Sequence, residues 1–555
     1  MATSVLSSPG LDSVHNEEQK QESQAFAASL ISGLTVIALI VHGFHPFAED
    51  GGLYLAGVKS ILDPSLYSSG PEFVQGHLRF SLFAPSVAWL VRRSGMRLEA
   101  GLLLIHLASI WLTLAAAWML ASRCFSSVRQ RTGAVVLLAV WLTLPIAGTS
   151  LMLMDPYVTA RSISTPLTLL ALVWALDFLH STRWGSRWNW FSLVLTVSAL
   201  MVAAMVHPLM AAYGFGCVLA LSATLPERPT SRAAAVFALG AAAVIVAVIL
   251  QTVAQPESPD YHTVAMSRYY WFLSEWHWYE LAGAIAPLAI LTMFSWPERY
   301  REDNARSTLA QMGLTAGTIA LVVAAAFARI GSATHLVARL QPMRIFQQIY
   351  IVMILLLGGT LARWMGKRPL RWVGAFGLLA VVMFFAERQT FPSSEHIEMT
   401  EAGEQAANGW VQAFEWIKKN TPKNAVFALD ADYITKPGED AQSFRAIAER
   451  SALPDYSKDG GEAAITPALT EEWKAGQEAQ TKLSERSDSD RLATLTPKGV
   501  GWMVLEKAAT TAFVCDYANA TVKVCRLPNS NSADGVRLSL RIQPALQPQP
   551  LQALR

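Results

Sequence analysis

Runs of roughly 20 apolar residues with few charges recur along the chain as far as Phe385, and none follows. Runs of that length belong to helices that cross a bilayer, because backbone groups in hydrocarbon must find their hydrogen bonds within the helix itself. The composition agrees: 52% of the 555 residues are hydrophobic and 15% charged, against about 25% charged in soluble proteins. The chain therefore divides into a polytopic membrane part and a soluble tail the size of one domain.

Candidate spans fall at 25–44, 98–121, 132–153, 162–180, 188–206, 208–225, 233–254, 279–296, 308–330, 345–364 and 370–386. A further apolar segment, 78–92, is short, contains Pro85 and is flanked by Arg79, Arg92 and Arg93. Lys and Arg in short loops mark the cytoplasmic side. The basic loops lie at 123–131, 183–187, 228–232, 299–306 and 363–371. All five fall on one side if 78–92 lies along the interface rather than crossing. This predicts about eleven spans, with the N-terminus inside and the C-terminal domain outside. A twelve-span chain with its N-terminus outside is the rival, and it exports the RRSGMR cluster.

Residues 1–24 are polar and lack the basic start and cleavage site of a signal peptide, so they read as a disordered cytoplasmic tail. The membrane domain is expected over 25–386, with 45–97 as the first extracytoplasmic loop. A linker at 387–404 leads to an α/β domain at 405–530 and a flexible Pro/Gln-rich tail at 531–555. In the soluble part, GWVQAFEWIKKN places Trp410, Val411, Phe414 and Ile417 on one helix face. TPKNAVFALDADY reads as turn and strand, SFRAIAERSAL as helix then strand, 468–491 as a charged helical run, and VGWMVLEK and TVKVCRL as closing strands. Cys515 and Cys525 flank a turn-like stretch and could pair in an oxidising compartment, whereas Cys124 and Cys217 lie at or in spans. A net charge of +2 gives no footing for nucleic acid.

The stretch from His45 to Arg79 places Glu49 and Asp50 where the first span leaves hydrocarbon, followed by a short apolar helix and a Gly/Pro/Ser-rich loop. This acidic pair, the amphipathic first loop, the basic cytoplasmic turns and the EWIKKNTPKNAVF entry to an outward domain resemble the GT-C superfamily of membrane glycosyltransferases. The LDPSLY run, the His207–Pro208 turn and the pairing of NTPKNAVF with FRAIAERSAL resemble a bacterial branch of it. The resemblance implies a bacterial inner-membrane enzyme that takes sugar from a polyprenyl-phosphate donor. The acceptor would be a lipid, glycan or protein among the membrane lipids of the outer face.

On that resemblance the first-loop acid removes a proton from the acceptor hydroxyl while an arginine holds the leaving phosphate. Asp50 is the favoured base, Glu49 its alternate, and Asp155 the counterpart of a second acid. The structural alternatives are equally concrete: Asp50 as the N-cap of the helix GGLYLAGVKSIL, and Asp155 as a cap or as the ion-pair partner of Arg161. His207 opens a turn, where a structural hydrogen bond is the plainer reading. Arg339, Arg344 and Arg268 breach the positive-inside trend, which phosphate binding or headgroup anchoring explains, and Arg161, near the start of its span, is a fourth candidate for the donor phosphate. The aromatics around Arg268 form an interfacial belt with Glu275 and His277 as weak candidates.

Asp430–Ala431–Asp432 spells a D-x-D, but the spacing recurs at Asp488–Ser489–Asp490 and is discounted; Asn519–Ala520–Thr521 is an equally weak sequon. No cluster of metal ligands stands out, so no metal residue is named, although a divalent ion at the acid pair is an option. The competing functions are a transporter or flippase of lipid-linked glycans, disfavoured because charges sit at span ends, and a non-catalytic scaffold in envelope polysaccharide assembly.

Overall fold

In a computed structural model the chain is described over residues 9–180, 187–225, 228–295, 304–399 and 406–528. It forms two compact units. The first comprises residues up to Pro46, Leu78–Thr390 and His396–Glu398; the second comprises Phe47–His77, Phe391–Glu395 and the chain from Met399 onward.

The first unit is an α-helical membrane domain. Among the described residues, seven helices are long and apolar enough to cross a bilayer: Gln24–His42, Leu98–Cys124, Ala160–Leu179, Pro229–Val253, Ala305–Phe327, Leu336–Met365 and Pro369–Thr390. Three shorter apolar helices, Trp190–Val206, Pro208–Thr224 and Trp278–Phe294, fill three more expected spans. The span expected at 132–153 departs from expectation. Its helix stops at Val140, and Pro145–Ile146 then pairs antiparallel with Leu151–Met152. Pro145 cannot donate to a helical ladder, and positive φ at Gly148 and Ser150 turns the chain back. The first helix starts at Pro9, within the stretch read as a disordered tail. The segment near 78–92 forms the helix Phe83–Ser94, 12 residues long. At roughly 1.5 Å per residue it is far shorter than a bilayer core. Two of the basic loops fall largely in 181–186 and 296–303, and the tail at 531–555 falls wholly, outside the described residues.

The core of this unit is the helix Phe346–Met365, buried along most of its length. Glycines bring it against Val128–Val140: a Cβ on Gly133 would meet Ala362 Cβ at 2.4 Å, and one on Gly358 would meet the Gly133 carbonyl at 2.5 Å. Small residues let helix backbones approach this closely where no hydrophobic drive separates helix from lipid. By contrast, Pro229–Val253 and Pro369–Thr390 are only 6% buried in their apolar windows, as lipid-facing helices are.

The second unit is α/β. Five strands lie in the order Ser451–Ala452, Val426–Ala428, Trp502–Glu506, Val522–Arg526, Cys515–Ala518. The first three are parallel and the last two join antiparallel. Cys515 and Cys525 are direct partners in the register and are disulfide-bonded. The helix Gly409–Asn420 is capped by Asn408, whose side chain accepts from Trp410 N–H, and it buries Trp410, Phe414 and Ile417. The first-loop helix Glu49–Leu62 packs into the same unit. Gly52 lies so close to the chain around Ser443 that a Cβ would meet Ser443 Cβ at 2.2 Å, and Lys59 Nζ donates to the Ala446 carbonyl at 2.8 Å.

Candidate active site

The acid pair occupies the first turn of the helix Glu49–Leu62. Its N-cap is Ala48, with no side-chain capping bond, so Asp50 is not the cap. Carboxylates in a first turn are favoured by the exposed N–H groups and by the helix dipole. On a regular helix or strand the two adjacent side chains would diverge. Here Glu49 takes a positive φ of 52°, and both carboxylates reach the same ammonium, Lys458 Nζ. Asp50 Oδ1 lies 3.2 Å from it, and Glu49 Oε2 also bonds it. The acids are partly exposed, at 32% for Asp50 and 41% for Glu49, while the Lys458 side chain is 19% exposed. Burial alone would lower the Lys458 pKa, but Glu49 and Asp50 together hold it above the ordinary lysine range. Two carboxylates against one ammonium leave the group with a net negative charge.

Lys458 begins the helix Lys458–Ile465, which carries two further acids. Asp459 accepts from Arg445 Nη1 at 2.6 Å and from the backbone N–H of Asp455 at 2.7 Å. Burial first, and then the neighbouring Asp459, push Asp455 up to about 7. Burial first, then Asp459 and Asp50, push Glu462 up to about 8. His77 Nδ1 lies 3.8 Å from Glu462 Oε1, and burial pulls His77 down to about 4 against the opposing pull of Asp50. A cavity of about 20 Å³, enough for a water, is lined by Tyr433, Ser443, Arg445, Asp455, Lys458 and Asp459. Carboxyls shifted by burial and by neighbouring charge mark this group as a candidate for acid–base work.

The remaining candidates lie in the membrane unit. Asp155 and Arg161 are both buried and form an ion pair, with Arg161 Nη2 and Nε at 2.9 and 3.1 Å from Asp155 Oδ2. Asp155 lies five residues before the helix Ala160–His180 and is not its first-turn cap. His207 is the N-cap of Pro208–Thr224; its Nδ1 accepts from Met210 N–H at 3.4 Å. Arg268 is buried and donates to Ser267 Oγ at 3.0 Å. Arg339 ends a short turn of helix, and Arg344 follows Gln341, whose positive φ is braced by Tyr213 O–H donating to the Gln341 carbonyl at 3.0 Å. Glu275 is exposed, and His277 with Glu280 forms a capping box on Trp278–Phe294.

The discounted motifs have structural employment. Asp430 accepts from Lys482 N–H at 3.2 Å and, with Asp432, faces Lys436; Asp488 pairs with Arg491 at 2.7 Å. Asn519 spends its amide nitrogen on the Gly409 carbonyl at 2.7 Å.

Sequence reasoning passed over Lys458, Glu462, Asp455 and His77 in the second unit. It also missed a cluster of Glu257, His262 and His335 in the first. No recognised motif marks them, and the partners that give Lys458, His77 and His335 their roles, Asp50, Glu462 and Glu257, lie far away in the chain.

No family model matches the chain, and no curated protein matches it. Among solved structures it is similar to the crystal structure of an Archaeoglobus fulgidus oligosaccharyltransferase in complex with zinc and sulfate. The identity is 12% and the TM-score 0.38, over 86% of this chain and 68% of that one. The likeness assigns no residue role.

Proposed function

We propose that the chain is a membrane glycosyltransferase that moves a sugar from a polyprenyl-phosphate donor to a lipid, glycan or protein acceptor on the extracytoplasmic face. The observation that carries the reading is the acid pair. Asp50 sits just after the first span in sequence, in a helix first turn, partly open to solvent, in a group that keeps net negative charge beside Lys458. In the reaction Asp50 takes the proton of the acceptor hydroxyl, the oxygen bonds the anomeric carbon, and the carbon–oxygen bond to the phosphate breaks, releasing polyprenyl phosphate. Lys458 Nζ bonds Asp50 Oδ1 at 3.2 Å, and Glu49 shares that ammonium. Donor-phosphate binding is assigned to Arg339, Arg344 and Arg268, on the sequence ground that they oppose the positive-inside trend. The Cys515–Cys525 disulfide supports an oxidising, extracytoplasmic setting for the second unit, and the basic loops support a cytoplasmic N-terminus in a bacterial inner membrane.

One observation favours the non-catalytic scaffold as the second reading: all three acid candidates are engaged by cations of the chain itself, Glu49 and Asp50 by Lys458 and Asp155 by Arg161. The experiment that separates them measures release of polyprenyl phosphate by mass spectrometry. Purified protein in liposomes is supplied with synthetic polyprenyl-phosphate monosaccharides and membrane-extracted acceptors. Asp50→Asn is expected to lower release by roughly 10²-fold or more, the scale of a lost general base, with little change in melting. Wild-type release that persists in Asp50→Asn removes the proposed base.

A further inference from the structure

Two loops of the membrane unit converge on a set of side chains that the transferase reading does not use. Glu257 follows the helix Pro229–Val253, His262 lies on the helix Pro259–Met266, and His335 immediately precedes the turn Leu336–Arg339. One ligand atom from each lies within 4.8 Å of the others. The Glu257 carboxylate grips His335 twice: Oε1 accepts its backbone N–H at 2.6 Å, and Oε2 faces Nδ1 at 2.6 Å. His335 Nε2 lies 3.1 Å from the Ile330 carbonyl. The ring of His262 stands 5.1 Å from that of His335, centroid to centroid, and His262 is exposed where His335 is buried.

We propose that Glu257, His262 and His335 form a binding site for a divalent transition-metal ion of the zinc type. Two imidazoles and one carboxylate make a donor set suited to zinc or cobalt and poorly suited to magnesium or calcium, which take oxygen ligands. The ion replaces the proton held between Glu257 Oε2 and His335 Nδ1, so both atoms become ligands without a large movement of either side chain. The Ile330 carbonyl then accepts from the far nitrogen of His335 and fixes the ring, as the outer partner of a ligating histidine does. His262 closes the site from the solvent side. Three protein ligands leave the fourth position open to water or to an anionic oxygen. The ion would staple the loop after Pro229–Val253 to the loop before Phe346–Met365, adding to the hydrogen bonds by which Glu257 already holds His335 and the Ala333 carbonyl.

The site is tested on the full chain, purified in detergent, freed of any His-tag, stripped with chelator and dialysed against zinc. Wild type is expected to retain about one zinc per chain by elemental analysis. With cobalt it should give the visible absorption of a four- or five-coordinate nitrogen/oxygen site, and zinc should raise its melting temperature. His262→Ala, which alters an exposed side chain and leaves the Glu257–His335 clamp in place, should weaken zinc retention by at least about tenfold and remove the zinc-dependent melting shift. Glu257→Gln should do the same. Failure of the wild type to retain zinc, or full retention by His262→Ala, overturns the assignment. Neither readout depends on glycosyl transfer.

Discussion

Replacing Lys458 with Met keeps the buried stem and removes the ammonium that the adjacent carboxylates of Glu49 and Asp50 share. Breaking a buried ion pair in this way costs about 3–5 kcal/mol. Here solvent reaches both acids, at 41% and 32% side-chain exposure, so part of the cost is recovered by hydration and about 2 kcal/mol is the reasonable figure. For a unit of this size that corresponds to roughly 4–8 °C in melting temperature. Protonating one of the two acids relieves the repulsion, so the deficit of Lys458→Met relative to wild type should shrink at acidic pH. The assay is thermal unfolding of the purified protein in detergent, followed by intrinsic fluorescence, for wild type, Lys458→Met, Glu49→Gln/Asp50→Asn and the triple variant. In the neutralised background Lys458→Met should cost much less, giving a coupling of about 1–2 kcal/mol. Equal costs in both backgrounds, or a melting temperature for Lys458→Met within 1 °C of wild type, would refute the view that the acids and the lysine form one electrostatic unit.

Gly52→Ala should destabilise the second unit by at least about 1–3 kcal/mol, because the new Cβ would lie 2.2 Å from Ser443 Cβ and 2.4 Å from the Phe47 carbonyl. Gly461→Ala, whose Cβ meets nothing within 4 Å, is the matched helix control, and equal melting of the two would sink the packing argument. Reduction of Cys515–Cys525, which closes a loop with a sequence separation of 10, should cost about 3 kcal/mol by loop entropy; a melting curve unmoved by dithiothreitol would count against it. Glu462 is raised by burial from 4.5 to about 8. Between those pH values the unfolded chain has lost the proton that the native state still holds, so this group destabilises the fold increasingly as pH rises from about 4.5 to about 8. Glu462→Gln should therefore melt like wild type near pH 5 and above it near pH 8. The comparison at each pH also sets aside most of the opposite effect of His77, and a gap independent of pH would contradict it.

The helices were legible because each is written locally. Twenty apolar residues have few options in a bilayer, and a helix such as Gly409–Asn420 announces itself by the spacing of Trp410, Phe414 and Ile417. The one span that ends short was misread for an equally local reason: apolarity ran on through Pro145 and Gly148, where backbone constraints rather than hydropathy decide the path. The hairpin was also readable, because it is a short-range structure; the pairing of its cysteines stayed open in the sequence, since it depends on the compartment, and in the structure they are disulfide-bonded register partners. The polar sites follow a different logic. Lys458 stands 408 residues from Asp50, and Glu257 stands 78 from His335. A charge gains its role from the partner that makes its burial affordable, and no periodicity records that partner. Asp155 and Arg161, six residues apart, are the exception that fits the rule: their ion pair was anticipated because both ends fall within one short stretch. A buried charge whose local neighbours cannot balance it therefore implies a distant partner. In this chain, Lys458 answering Glu49 and Asp50 is such a case, and it is also where the proposed chemistry begins.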